Sequence, residues 1–271
     1  REDIDFLEEE LDAWYLDVLN KGIEKFETRY QGSEAAIEEE LAEQMSAFGT
    51  DKDRMKRTIL AQGLGLDPAT WDETDTIELA REIRKRTKPM VIAANKMDTP
   101  EAQANWAEIT SDPDYDHLSF VPASAHAEKA LKNADDAGVV DYTPGDDAFE
   151  VVGDVSGEQK AGLDQIGEFV DEYDGTGVQG ALEAAVFDVL GCIAVFPGSA
   201  NGSSDEKGVF RDCFILPEGS TTEDFAYHIH SDIGEGLLHG TDCRSGRQVG
   251  TDNELSHRDV IELISTKQAA P

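Results

Sequence analysis

Apolar residues recur at spacings of three and four through the first part of the chain. Ile4, Leu7, Leu11, Trp14 and Val18 form one stripe, and Tyr15, Leu19, Ile23 and Phe26 widen it. Asp and Glu fill the positions between, which predicts amphipathic helices over residues 1–63. Gly32-Ser33 breaks the first helix, and Ser33 is placed to cap a second that carries Ile37, Leu41, Met45 and Phe48. Gly49 ends it, and Thr50 with Asp53 caps a third carrying Met55, Ile59 and Leu60. An antiparallel helical hairpin is the economical packing, and it is compatible with a docking arm for a partner.

The pattern then shortens. After a turn-rich stretch from Gly63 to Asp75, Thr76–Thr87 reads as a helix with Ile77, Ala80 and Ile83 inward. Its basic end, Arg81, Arg84, Lys85, Arg86 and Lys88, suits the negative helix terminus, with phosphate or RNA contact as the lesser alternative. Val91–Ala94, bounded by Pro89, is too short for a helix and reads as a strand buried on both faces of a parallel sheet. A helix follows over Thr99–Trp106, with Pro100 in its first turn. Leu118–Pro122 is a second short strand, closed by Ala123-Ser124-Ala125 and continued by a helix with Ala127, Ala130 and Leu131.

Residues 135–157 read as loop. Ser156 caps a helix holding Leu163, Ile166, Phe169 and Val170, and Thr176-Gly177-Val178-Gln179 has the form of a capping box for a helix burying Leu182, Ala185, Val186 and Val189. From Cys192 the texture changes: a strand over Cys192–Phe196, a Gly/Ser loop over Pro197–Lys207, a strand over Arg211–Leu216, and a helix capped by Thr222 through Phe225, Ala226 and Ile229. Short strands follow near Leu237, Gln248 and Val260–Ile264. That order reads as a β-grasp, ubiquitin-like module. The chain is thus α/β, divided at 1–73 (helical insertion), 74–191 (nucleotide fold), 192–267 (β-grasp) and 268–271 (tail).

Both short strands end in polar turns, and ligands of open α/β sheets bind at strand carboxyl ends. The first turn is Asn95-Lys96-Met97-Asp98. An Asp98 carboxylate there accepts two parallel hydrogen bonds from guanine N1–H and its exocyclic amine, a donor pair that adenine lacks. The aliphatic stem of Lys96 can cover the purine face, while the Asn95 amide ties the loop to backbone. At the second turn, small Ser124 and Ala125 let backbone approach the base, with the Ala125 N–H directed at guanine O6.

Charge changes the picture next. Of 271 residues, 58 are acidic and 23 basic, a formal net charge of −35. The acids are spread over every expected element, which disfavours a disordered acidic tail and points to a halophile, where multimolar cations screen self-repulsion. Cys192, Cys213 and Cys243 match no zinc or redox spacing and read as reduced thiols of a cytoplasmic protein. No apolar run suits a membrane span, and no secretory signal opens the chain. His228 and His230 alternate, but on an expected helix without a third ligand, so no metal is assigned to them. His126 reads as a loop residue.

These motifs together resemble an archaeal YchF-type GTPase of the Obg-related class. The resemblance rests on the helical insertion, the Asn95–Asp98 tetrad, the Ser124-Ala125 turn, the Thr176–Gln179 helix and a C-terminal TGS domain. The TGS part is carried by Leu216-Pro217-Glu218-Gly219-Ser220-Thr221, by Ala226 through Gly234, and by Asp259-Val260-Ile261. It implies GTP/GDP binding, GTP hydrolysis with Mg²⁺ in the complete protein, and a partner in the ribosome or translation machinery; a monomer is expected. Nucleotide base contact falls on Asn95, Lys96, Asp98, Ser124 and Ala125.

One departure matters. The phosphate-wrapping Gly-x-x-x-x-Gly-Lys-Ser/Thr loop is not found in this sequence. In the family it precedes the helical insertion, so it is expected before Arg1, with no catalytic residue in this chain and no hydrolysis by this chain alone. Asp154–Gly157 and Asp205–Gly208 fit the Asp-x-x-Gly switch pattern but lie after the tetrad and read as coincidence. Two alternatives stay open: an ATP-preferring relative, since bacterial members of the family carry an altered tetrad, and a non-catalytic RNA- or ribosome-binding protein on a degenerate nucleotide fold. With so much acid, the latter would rely on shape, stacking and placed residues such as Arg244 and Arg247.

Overall fold

The computed structural model describes residues 1–29, 36–199, 210 and 212–267. The break at Gly32-Ser33, most of the Gly/Ser loop, Arg211, the Asp205–Gly208 pattern and the tail 268–271 lie outside the described residues. Two compact units divide the chain, Arg1–Phe120 and Val121–Pro271.

In the first unit four helices share one core: α1 (Glu2–Arg29), α2 (Ile37–Gln44), α3 (Lys52–Ala61) and α4 (Glu73–Thr87). Tyr15, Leu19, Ile37, Leu41, Met45, Met55, Ile59, Leu79 and Ile83 fill it. The inward face of α1 is centred on the residues expected only to widen the stripe. Tyr15 and Leu19 are fully buried, whereas Leu7 is 47% and Trp14 50% exposed. Close helix contact sets this rotation, because a Cβ at Gly22 would stand 2.8 Å from Leu41 Cδ2. The glycine admits α2 against that line of α1. Leu60, expected inward on α3, is 51% exposed.

Caps also move. Asp51, not Thr50, caps α3, its Oδ1 accepting the Arg54 N–H at 2.8 Å. The N-cap of α2 is Ala36, which makes no side-chain capping bond. Helix α4 begins ahead of Thr76 because Asp72 and Asp75 form a capping box, each carboxylate accepting the other's backbone N–H at 2.9 Å. Strand β1 (Val91–Ala94) pairs with β2 (Ser119–Pro122), and the Ser119 N–H donates to Met90 O at 3.3 Å. These two strands form a two-stranded sheet, and β1 is not buried on both faces: Ala93 is exposed and the other three residues are half-buried. Thr99 caps α5 (Pro100–Ile109) through a bond from the Ala102 N–H.

The second unit opens with α6 (Ala125–Asp136), so His126 is an exposed residue of a first helical turn and not of a loop. Within the expected loop a small antiparallel ribbon forms from β3 (Val140–Asp141) and β4 (Glu150–Val151). Two residues per strand are too few to show an alternation. Ser156 caps α7 (Gly157–Tyr173) as expected, and Gln159 completes a capping box with it. Leu131, Val140, Tyr142, Leu163 and Val170 pack together. Helix α8 (Val178–Glu183) continues as a π-helical turn over Ala184–Val189. Leu182, expected to be buried there, is 60% exposed.

The C-terminal sheet comprises β5 (Cys192–Pro197), β6 (Phe214–Pro217), β7 (Leu237–Asp242), β8 (Arg247–Val249) and β9 (Asp259–Ser265), in the order β6-β5-β9-β7-β8. Only β5 and β9 run parallel; the other neighbours are antiparallel. This is β-grasp connectivity, with α9 (Thr222–Ile229) and α10 (Ser231–Gly236) between β6 and β7. Ile193, Val195, Leu216, Phe225, Leu255 and Ile261 form its core. Thr221 caps α9 in a capping box with Asp224, while Thr222, read as the cap, is fully buried in the first turn. No helix among the described residues is long and apolar enough to cross a membrane.

Candidate functional site

The tetrad is a tight turn between β1 and α5, anchored by its one apolar member. Met97 is 1% exposed, and its C=O accepts the Gln103 amide at 3.1 Å. Burial of Met97 turns Asn95, Lys96 and Asp98 outward, and all three are exposed. Lys96 has φ +67°, the left-handed region that costs a non-glycine residue about 1–2 kcal/mol. Local bonds offset that strain. Asn95 Oδ1 accepts the Lys96 N–H at 2.9 Å, and the Lys96 C=O accepts from both the N–H and the hydroxyl of Thr99, at 2.9 and 3.0 Å. The amide of Asn95 thus ties the loop, as its sequence position suggested, and the exposed Asp98 carboxylate is available to a donor pair.

In the second unit the strand-end turn is built differently. Ser124 is fully buried and caps α6, its Oγ accepting the Ala127 N–H at 3.1 Å; Ala125, next to it, is exposed. The Ser124 N–H donates to Thr176 O at 2.9 Å. Beside it the chain runs so close that a Cβ on Gly177, whose φ is +77°, would lie 1.9 Å from Pro122 O and 2.7 Å from Ala123 Cα. Only glycine fits there.

Thr176 therefore does not make the capping box. Gly177 occupies the N-cap of α8 without a side-chain bond, and the Thr176 hydroxyl donates instead to Glu128 Oε2 at 2.7 Å. The Tyr142 hydroxyl donates to the same oxygen at 2.7 Å. Burial, and then the bond to Glu128, push the Tyr142 phenol up to about 12. Glu128, Tyr142, Thr176 and Gly177 were missed as site support. The Gly175-Thr176-Gly177 run, a threonine between two glycines, was the available signal.

At the basic end of α4 the three arginines are engaged in ion pairs. The Arg84 side chain is 2% exposed and ion-paired with Glu8 and Asp12 of α1; Arg81 also pairs with Asp12, and Arg86 with Glu82. No group of three or more His, Cys, Asp or Glu side chains that could hold a metal ion occurs among the described residues. His230 instead caps α10, its Nδ1 accepting the Asp232 N–H at 3.1 Å. Cys192, Cys213 and Cys243 are free thiols.

An α/β sheet with a polar Asn-Lys-x-Asp strand end, joined in sequence to a β-grasp module, defines the class of GTP-binding proteins with an appended TGS domain. Residues 93–199 match the Obg-like GTPase YGR210-like, G4 motif-containing domain, and residues 202–265 match the TGS domain. A GTP-binding protein of Methanocaldococcus jannaschii is 36% identical over 268 residues, which cover 97% of this chain and 66% of that protein. The crystal structure of a GTP binding protein from Pyrococcus horikoshii OT3 is similar with a TM-score of 0.70 at 33% identity, over 98% of this chain and 71% of that one. The Schizosaccharomyces pombe YchF GTPase shares the fold, with a TM-score of 0.52 at 12% identity, over 97% of this chain and 65% of that one. The chain belongs to the Obg-like GTPase family, and it spans 66% of the length of its Methanocaldococcus relative.

Proposed function

We propose that this chain carries the base-recognition half of a guanine-nucleotide site, with Asn95, Lys96, Asp98, Ser124 and Ala125 as its contacts. The observation that carries the reading is the tetrad turn, in which buried Met97 and strained Lys96 hold an exposed Asp98 at a strand's carboxyl end. Asp98 reads the N1–H and exocyclic amine of guanine, Lys96 covers the ring, and the Ser124-Ala125 turn reads O6. In the complete protein the activity is GTP hydrolysis with Mg²⁺, and residues 1–271 contribute base selection without a catalytic group. The cytoplasmic translation machinery is the proposed partner, and the TGS domain the proposed contact with it.

Calorimetric titration of GDP and ADP into the protein expressed from its complete gene, in multimolar KCl, tests this. Selective GDP binding is expected, and Asp98→Asn is expected to exchange guanine for xanthine preference because the new amide can donate to xanthine O2. Equal affinity for GDP and ADP, or selectivity unmoved by Asp98→Asn, removes Asp98 from this role. Cosedimentation with ribosomes tests the partner; no pelleting at any salt concentration counts against it.

A further inference from the structure

Thr176 holds the Ser124-Ala125 turn at two points. Its C=O accepts the Ser124 N–H at 2.9 Å, and its hydroxyl donates to Glu128 Oε2 at 2.7 Å. Glu128 lies one helical turn beyond Ser124, and its own N–H donates to Ser124 O at 3.1 Å. The three residues therefore close a ring of hydrogen bonds around the first turn of α6. Tyr142 completes the carboxylate's partners through a second hydroxyl at 2.7 Å. Ser124 is 0%, Thr176 2% and Tyr142 5% exposed, and the Glu128 they surround is half-buried. Polar groups buried in this way hold one geometry, because breaking any bond strands a desolvated partner.

The ring sits directly behind the turn proposed to read guanine O6, with Glu128, in the first turn of α6, accepting from both hydroxyls. The ring stabilises the first turn of α6, which Ser124 also caps. What the ring also adds is direction. Ser124 is bonded through both its N–H and its C=O, so the peptide that joins it to Ala125 is held in one orientation.

We propose that Thr176, Glu128 and Tyr142 are positioning residues for base recognition, and that they set discrimination at the O6 edge of guanine separately from the discrimination set by Asp98. This rests on the guanine reading above. It predicts that the two edges of the base can be uncoupled by mutation. The probes are GDP, inosine diphosphate, which lacks the 2-amino group that Asp98 reads, and 6-thio-GDP, which keeps both Asp98 donors but replaces O6 by a poorly accepting sulfur.

Affinities of the three nucleotides are measured by calorimetry on the protein expressed from its complete gene, with Thr176→Val, Thr176→Ser and Tyr142→Phe beside the unmutated protein. The unmutated protein is expected to favour GDP over 6-thio-GDP by about tenfold, the worth of one positioned hydrogen bond. Thr176→Val should bring that ratio near one while leaving the ratio of GDP to inosine diphosphate unchanged, and Thr176→Ser should restore it. A Thr176→Val protein that is folded by circular dichroism and keeps the original GDP to 6-thio-GDP ratio overturns the proposal. If that variant does not fold, Tyr142→Phe decides on the same ratio: reduced selectivity at O6 supports the role, and an unchanged ratio overturns it. Failure of the unmutated protein to prefer GDP over ADP is a different result, which sinks the guanine reading and this inference with it.

Discussion

Arg84 donates its Nε–H to Asp12 Oδ1 at 2.8 Å, and its guanidinium, 2% exposed, also lies 2.7 Å from Glu8 through Nη2. The pair joins α1 to α4, the helix that leads into the strand carrying the tetrad. His117, just ahead of β2, reaches the same Glu8 oxygen at 2.7 Å. Arg81 and Arg84, two residues of the basic α4 end read chiefly as a complement to the helix dipole, are therefore committed to holding α1.

Removing one partner of a buried ion pair leaves an uncompensated charge, which costs about 3–5 kcal/mol when burial is complete. Asp12 is 18% exposed and Glu8 remains, so Asp12→Ala should lose about 2 kcal/mol. Urea unfolding followed by circular dichroism measures it. A midpoint unchanged from the unmutated protein would show that the pair contributes nothing net.

Gly177→Ala should be among the most damaging single changes. The added methyl would overlap Pro122 O at 1.9 Å, at a backbone φ of +77°. Overpacking and left-handed strain together predict a loss of about 3 kcal/mol or more. Gly138→Ala is a fitting control, since it has φ +68° and open space around the new Cβ. It should lose only about 1–2 kcal/mol.

Alkaline stability should carry the signature of Tyr142. Its phenol titrates at about 12 in the folded protein, raised by burial and by the bond to Glu128, against about 10 in an unfolded chain. The folded state thus keeps a proton that the unfolded state releases. The stabilisation is complete below pH of about 10 and is lost progressively as pH rises towards about 12, by roughly 2–3 kcal/mol in total. Thermal melts between those limits should fall less steeply for Tyr142→Phe. Parallel slopes in the two proteins would contradict the assignment.

Salt should govern the whole molecule. With a net charge of −35, self-repulsion is strong in dilute buffer and falls as the Debye length shrinks to about 3 Å near 1 M salt. Melting temperature should rise steadily across a KCl titration. A fold equally stable at low and high ionic strength would refute the halophilic reading.

Local patterns carried much of this protein. The Ser156 cap, Pro100 after Thr99, and the limits of β1 follow from interactions within a few residues, so they were legible from the chain itself. The rotation of α1 was not, because it depends on Leu41 meeting Gly22 from another helix. Leu182 was misread for the same reason: its spacing suits an inward face, but what covers that face is settled by distant chain.

The candidate site divides along the same line. Sequence alone supplied the proposal for the guanine contacts, since Asn95, Lys96, Asp98, Ser124 and Ala125 are chemically suited and close two short strands. Tertiary structure decided what Thr176 does. A threonine followed three places later by glutamine reads as a capping box, yet its hydroxyl goes to Glu128, which lies 48 residues away. Sequence periodicity reports contacts made within one element, whereas a buried hydroxyl bonds to whichever acceptor the packing brings within reach, and only the folded chain specifies that.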